Sequence, residues 1–185
     1  MTVEQSMVGE QLRRLRASSG LSVRTLAVRS GFSASFISQI ENGQVSPSIA
    51  SLERIAGVLG VTLAGFFSSQ RSAEPVVRSR DRQEVSSTWS KARIESLGPV
   101  TGSSRLEAVM ITLAPGGRSG ARPASHPGEE FALVFEGTLA LTLGEECHQL
   151  ERGDTASFSS GTPHLWENRG EHAAQVVIVS SRFTH

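Results

Sequence analysis

The apolar residues of this 185-residue chain change their period part-way along. Up to about residue 67 they recur at helical spacing, and from about residue 91 they alternate in short runs. A helix buries a stripe of residues three and four apart, whereas a strand buries every second residue, so one element type cannot serve both halves. The sequence therefore predicts an α+β chain of two units: an all-α bundle over residues 1–68, a linker over 69–90 and an all-β unit over 91–185.

In the first half, Leu12, Leu15 and Arg16 lie at helical spacing within Ser6–Ser19, and Gly20 is a stop signal. Ser22 can cap a short helix to Arg29 with Leu26 and Ala27 inward, and Gly31 then supplies a turn. Ser33 can cap a third helix to Asn42 that buries Phe36, Ile37 and Ile40, with Gly43 ending it. Pro47-Ser48 opens a fourth, striped with Ile49, Leu52, Ile55, Ala56 and Leu59, and Leu63, Phe66 and Phe67 predict a last short helix. From Ser68 to Ser90 the pattern fails, apart from one strand-like run at Pro75–Val77. Beyond it, Leu106–Leu113, Glu130–Glu136, Thr138–Leu143, Thr155–Ser159 and Ala174–Ser180 are β-rich runs separated by glycine turns. That pattern predicts a sandwich or closed barrel.

Charge follows the same division. Residues 1–82 hold ten arginines against six acids, a surplus of four positive charges, and residues 83–185 hold eight basic residues against twelve acids. A basic front half suits a polyanion. Cys147 is the only cysteine, which rules out a disulfide within the chain and fits a cytoplasmic setting; as a lone small side chain it is expected in the core. No apolar run reaches membrane-spanning length, so no membrane partner is expected.

Ser22–Asn42 has the spacing of a helix-turn-helix, in which the second helix can lie in a major groove. That helix would present Ala34, Ser35, Ser38 and Gln39. Gln39 can pair with adenine, and Ser35 or Ser38 can bond bases or phosphates. The segment LSVRTLAVRSGFSASFISQIENGQVSPSIASLERIAGVLGVTLAGFF resembles the xenobiotic-response-element (Cro/C1-type) repressor family over roughly residues 8–67. The resemblance implies double-stranded operator DNA as partner, base contacts from Ala34, Ser35, Ser38 and Gln39, and phosphate contacts near Asn42. Many members carry Gln where this chain has Val23, and Arg24 is the candidate replacement as a phosphate contact.

In the second half, His126-x3-Glu130-x6-Gly137 and Gly153…Gly161-x2-His164-x3-Asn168 resemble the two motifs of the cupin superfamily, over roughly residues 90–182. The resemblance implies a double-stranded β-helix, or jelly-roll, barrel. Ala124 stands where the first motif carries its first histidine, and Ser159 where the second carries proline. Residues four apart on a strand share a face, so His126 and Glu130 can point inward, with His164 joining from an adjacent strand. Two imidazoles and a carboxylate form a three-ligand set for Fe, Zn, Mn or Ni. The same three residues can also form a metal-free polar pocket for a small-molecule effector. Arg118, Arg122, Glu129, His148 and His172 read as solvated positions.

The order helix-turn-helix, linker, cupin resembles a class of bacterial regulators, which implies a homodimeric, ligand-responsive repressor with no catalytic residue. A second reading is a mononuclear non-haem iron oxygenase using His126, Glu130 and His164, since the arrangement also resembles the iron epoxidase of fosfomycin biosynthesis. That enzyme uses tyrosines, and this chain has none.

Overall fold

A computed structural model of the chain describes residues 3–61, Leu63, Phe66, 75–82, 84–87, 90–98 and 106–181. The head contains α1 (Val3–Ser18), α2 (Val23–Ser30), α3 (Ala34–Glu41) and α4 (Ile49–Val58). Three serines start the last three helices. Ser22, Ser33 and Ser48 each accept a hydrogen bond from the backbone N–H three residues on, satisfying a donor that the helix itself leaves orphaned. Between α2 and α3 the chain reverses at Gly31, whose φ of 67° is left-handed. That backbone conformation favours glycine, and the end of the Arg54 side chain lies against it. Leu63 and Phe66 are helical and buried, while the rest of the expected final helix lies outside the described residues.

Leu12, Leu26, Ile37, Ile40, Ile49, Leu52 and Ile55 form the core of the head. Against it lies one buried charge. Glu41, at the end of α3, accepts two hydrogen bonds from Arg16 of α1, Nε at 2.5 Å and the NH2 group at 2.9 Å. Arg16 also donates to the Leu21 carbonyl at 2.9 Å, and Arg13 donates to the Glu41 carbonyl at 3.2 Å. The carboxylate thus pins α1 across the end of α3 and fixes how far α3 projects.

The barrel is built from β1 (Glu84–Ser87), β2 (Ala92–Ser96), β3 (Leu106–Leu113), β4 (Glu129–Glu136), β5 (Thr138–Leu143), β6 (Glu146–Glu151), β7 (Thr155–Ser159), β8 (His164–Glu167) and β9 (Ala174–Ser181). They form an antiparallel six-stranded sheet, β1-β2-β3-β9-β4-β7, and a three-stranded sheet, β6-β5-β8. Inward residues Ile94, Val109, Ile111, Ala132, Leu141, Trp166, Val176 and Ile178 fill the space between them.

Three expectations need correction. Residues 75–77 are not a strand; Pro75 lacks the amide that a ladder requires, and Val76 is exposed. The sheet instead begins at β1, inside the stretch read as linker, where Glu84–Ser87 pair with Ala92–Glu95. Cys147 is exposed, because β6 is an edge strand with almost no buried side chain.

Head and barrel share one contiguous cluster of buried apolar residues. At the seam, the N–H of Ala50 in the first turn of α4 donates to the Ser119 carbonyl of a barrel loop at 3.0 Å. Removing one partner of a buried pair strands the other, so Glu41→Ala should destabilise the protein by about 3 kcal/mol. The paired change Arg16→Met with Glu41→Leu should cost much less, as read by urea unfolding.

Candidate DNA-reading helix and barrel pocket

The recognition segment is set by local chemistry. The Ser33 cap starts α3, and Ile37 and Ile40 turn inward. That rotation leaves Ser35 exposed and Ala34, Ser38 and Gln39 half-buried, on two adjacent ridges of the helix. Asn42 caps the other end, exposed. Its Oδ1 accepts from Arg13 at 2.8 Å and its Nδ2 donates to the Ser38 hydroxyl at 3.4 Å. Arg24 is exposed near the start of α2. Arg13 was not singled out from sequence; it is linked to Asn42 from 29 residues away, a separation at which no local pattern signals a contact.

In the barrel, His126, Glu130 and His164 come together, each offering a donor atom within 4.8 Å of the others. The route differs from the one the spacing suggested. His126 precedes β4, separated from it by Pro127 and Gly128, and its backbone N–H donates to the Ser160 carbonyl at 3.0 Å. Gly128, with φ of 128°, bends the chain so that His126 Nε2 reaches Glu130 Oε1 at 2.9 Å. Nor are the strands adjacent: β4 belongs to the six-stranded sheet and β8 to the three-stranded one, so His164 reaches Glu130 across the barrel, Nε2 to Oε2 at 3.9 Å. Ala124 and His164 exchange both backbone hydrogen bonds, at 3.0 and 2.9 Å, which places Ala124 directly beside the His164 side chain.

The donor set suits a divalent cation. Glu130 is only 4% exposed, and its Oε2 has no hydrogen-bond partner among the described residues. His164 Nδ1 lies 2.9 Å from the Thr162 carbonyl and donates to it, which turns Nε2 toward Glu130. A divalent cation at this site would be held by His126, Glu130 and His164, whose donor atoms lie within 4.8 Å of one another. Asn168 plays a different part: its Nδ2 donates to the Leu113 and His172 carbonyls and its Oδ1 accepts from Gly170, which ties the end of β8 to the turn beyond it.

His126 and Glu130 open into a cavity of about 350 Å3, whose lining does not include His164. Its walls include Glu107, Ser180 and Ile178 of the barrel, and also Glu53, Gly57 and Gly60 of the head. Glu107, Ser180 and Glu130 pair across β3, β9 and β4 and so form one inward row. The sequence alone assigns Glu53 no role beyond its charge. Burial pushes its carboxyl up to about 7; His126 opposes that rise, and Glu130 and Glu107 add to it.

The remaining candidates stand apart. Arg118 pairs with Glu167 at 3.7 Å, His148 with Glu146 at 3.4 Å, and Arg122, Glu129 and His172 are exposed.

Residues 8–65 match the helix-turn-helix domain model, and residues 109–180 match the cupin domain model. The chain is 31% identical to the HTH-type transcriptional regulator PuuR of Escherichia coli (strain K12) over 180 residues, 96% of each chain. The crystal structure of an HTH_3 family transcriptional regulator from Vibrio cholerae superposes with a TM-score of 0.76 at 29% identity, covering 97% of this chain and 98% of that one. Hydroxypropylphosphonic acid epoxidase from S. wedmorenis is similar in fold alone, with a TM-score of 0.51 at 19% identity, over 97% of this chain and all of that one.

Burial works against a proton on His126, but its hydrogen bond to Glu130 and the charges of Glu53 and Glu130 outweigh burial and raise its pKa to about 9 from 6.5. A raised histidine pKa stabilises the fold fully below 6.5, and that contribution is lost as pH rises through about 9. In metal-free protein, the gap in melting temperature between wild type and His126→Gln should therefore be widest near pH 6 and close towards pH 9, as read by calorimetry.

Proposed function

The chain belongs to the HTH-type transcriptional regulators that carry a cupin domain, and on that premise we propose that its barrel is a cation-dependent sensor controlling how the head binds its operator. DNA binding is the function of the family. The observation that carries the sensor reading is the orphaned Glu130 Oε2, buried between two imidazoles. A buried carboxylate oxygen without a partner is costly, and a divalent cation held by His126, Glu130 and His164 removes that cost. Bound there, the ion would supply a Lewis-acidic centre, and the 350 Å3 cavity lined by His126 and Glu130 has the size of a small-molecule effector site.

On the DNA side, Gln39, Ser38, Ser35 and Ala34 read base edges, while Arg24 and Asn42 hold phosphates. The exposed N-terminal ridge of α3 and its anchoring through Arg16, Arg13 and Glu41 support this reading. Two half-sites one turn apart require a two-fold pair of heads. Phe131 and Phe135 on β4 are 46% and 53% exposed, and Phe131 sits in register with Val179 of β9 on the outer sheet face. A second copy covers this apolar face, giving a homodimer held by its barrels. The iron-oxygenase reading has less support, since the full-length relative at 31% identity is a regulator and the epoxidase is similar only in fold.

Gln39→Ala should cost about 1–3 kcal/mol on the preferred operator and relax preference at one base pair, whereas Arg24→Ala should weaken binding to all sequences and flatten the salt dependence. His164→Ala should lose metal in calorimetry with Fe(II), Mn(II) and Zn(II) yet still bind DNA. Ala124→His, which adds a donor beside His164, should bind metal tighter. Wild-type protein that takes up none of these ions would remove the sensor reading. Phe131→Glu should turn a dimer into a monomer by light scattering.

A further inference from the structure

Helix α4 stands between the two halves of the molecule, and neighbouring residues on it face opposite tasks. Arg54 places its guanidinium 5.3 Å from the centre of the Phe32 ring and against Gly31, the turn from which the recognition helix starts. Glu53, the residue before it, lines the barrel cavity with His126, Glu107 and Glu130. The first turn of the same helix is fastened to the barrel through Ala50 N–H and the Ser119 carbonyl. Ser119 is bound in turn to Trp166 of β8, with its N–H donating to the Trp166 carbonyl at 2.9 Å and its Oγ accepting from the Trp166 N–H at 3.1 Å. Trp166 lies two residues from His164, so α4 faces the cavity of His126 and Glu130 through its own carboxylate and is fastened to the strand that carries His164.

We propose that α4 is the coupling element of this protein, with Glu53 acting as the head's own contact to the cation held by His126, Glu130 and His164. The proposal rests on the cation-sensor reading above. Glu130 Oε2, buried and lacking a hydrogen bond, marks where a cation is needed, and Glu53 brings a second carboxylate to the same cavity from the other domain. An occupant gripped from both sides draws α4 onto the barrel mouth. Because α4 also carries Arg54 against the Gly31–Phe32 turn, that pull reaches the start of the recognition helix. A ligand shifts an equilibrium only by its differential contacts with the two states, and Glu53 supplies such a contact.

The test uses full-length protein and Zn(II) alone, an ion that nitrogen and carboxylate donors hold tightly. Glu53→Gln keeps the shape of the side chain and removes its charge. It should weaken Zn(II) binding by about tenfold in calorimetry, in the range seen when groups supporting a metal site are removed. A second reading needs no variant: Zn(II) should slow amide exchange in residues 49–58 of the wild type. Glu53→Gln with wild-type Zn(II) affinity, or unchanged exchange in α4 on Zn(II) saturation, overturns the coupling role while leaving the barrel site standing. Wild type that fails to bind Zn(II) removes the barrel site and the coupling with it.

Discussion

A carboxylate buried in an apolar barrel needs compensation, and the barrel is arranged around that need at Glu130. One oxygen is answered by His126 at 2.9 Å; the other faces His164 at 3.9 Å without a hydrogen bond. Removing an isolated carboxylate from water costs far more than a fold of this size can spare. The side chain therefore persists only because imidazoles, and in our reading a cation, surround it. Much local backbone serves this point: the bend at Gly128 that delivers His126, the Ala124–His164 pairing that fixes β8, and the Thr162 carbonyl that orients the His164 ring.

The head is held by a second buried charge of a different kind. Glu41 is fully answered by Arg16, so it needs no outside partner and acts as a rigid fastening for α3. The contrast separates structure from function within one chain. A buried acid with both oxygens satisfied holds a fold together, whereas one with an oxygen left over marks a place where something binds. Helix α4 lies between the two, sharing the apolar core of the head through Leu52 and Ile55 while presenting Glu53 to the barrel cavity.

Features with a local cause were legible in the sequence. The three serine caps, the Gly31 turn and the strands at Leu106–Leu113, Thr138–Leu143 and Thr155–Ser159 follow from chemistry within a few residues of each. What escaped was non-local. Strand β1 is polar and pairs only because β2 lies against it. Arg16 and Glu41 are 25 residues apart. Glu53 shows its role only once the head is seated on the barrel, since nothing along α4 distinguishes a carboxylate facing solvent from one facing another domain. The meeting of His126, Glu130 and His164 was foreseen, but through a strand register that the chain does not use. His126 arrives by a turn and His164 from the opposite sheet, which strand periodicity alone does not reveal.

If operator and cation are coupled through α4, each must change the affinity of the other by the same factor, because binding free energies around a closed cycle are reciprocal. The direct measurement is Zn(II) affinity by calorimetry with and without an operator duplex selected from random DNA, set beside operator affinity with and without Zn(II). The account predicts that both ratios depart from one and agree with each other. A Zn(II) affinity that is the same on free and DNA-bound protein would contradict it, leaving a DNA-binding head and a metal-binding barrel that share a chain without communicating.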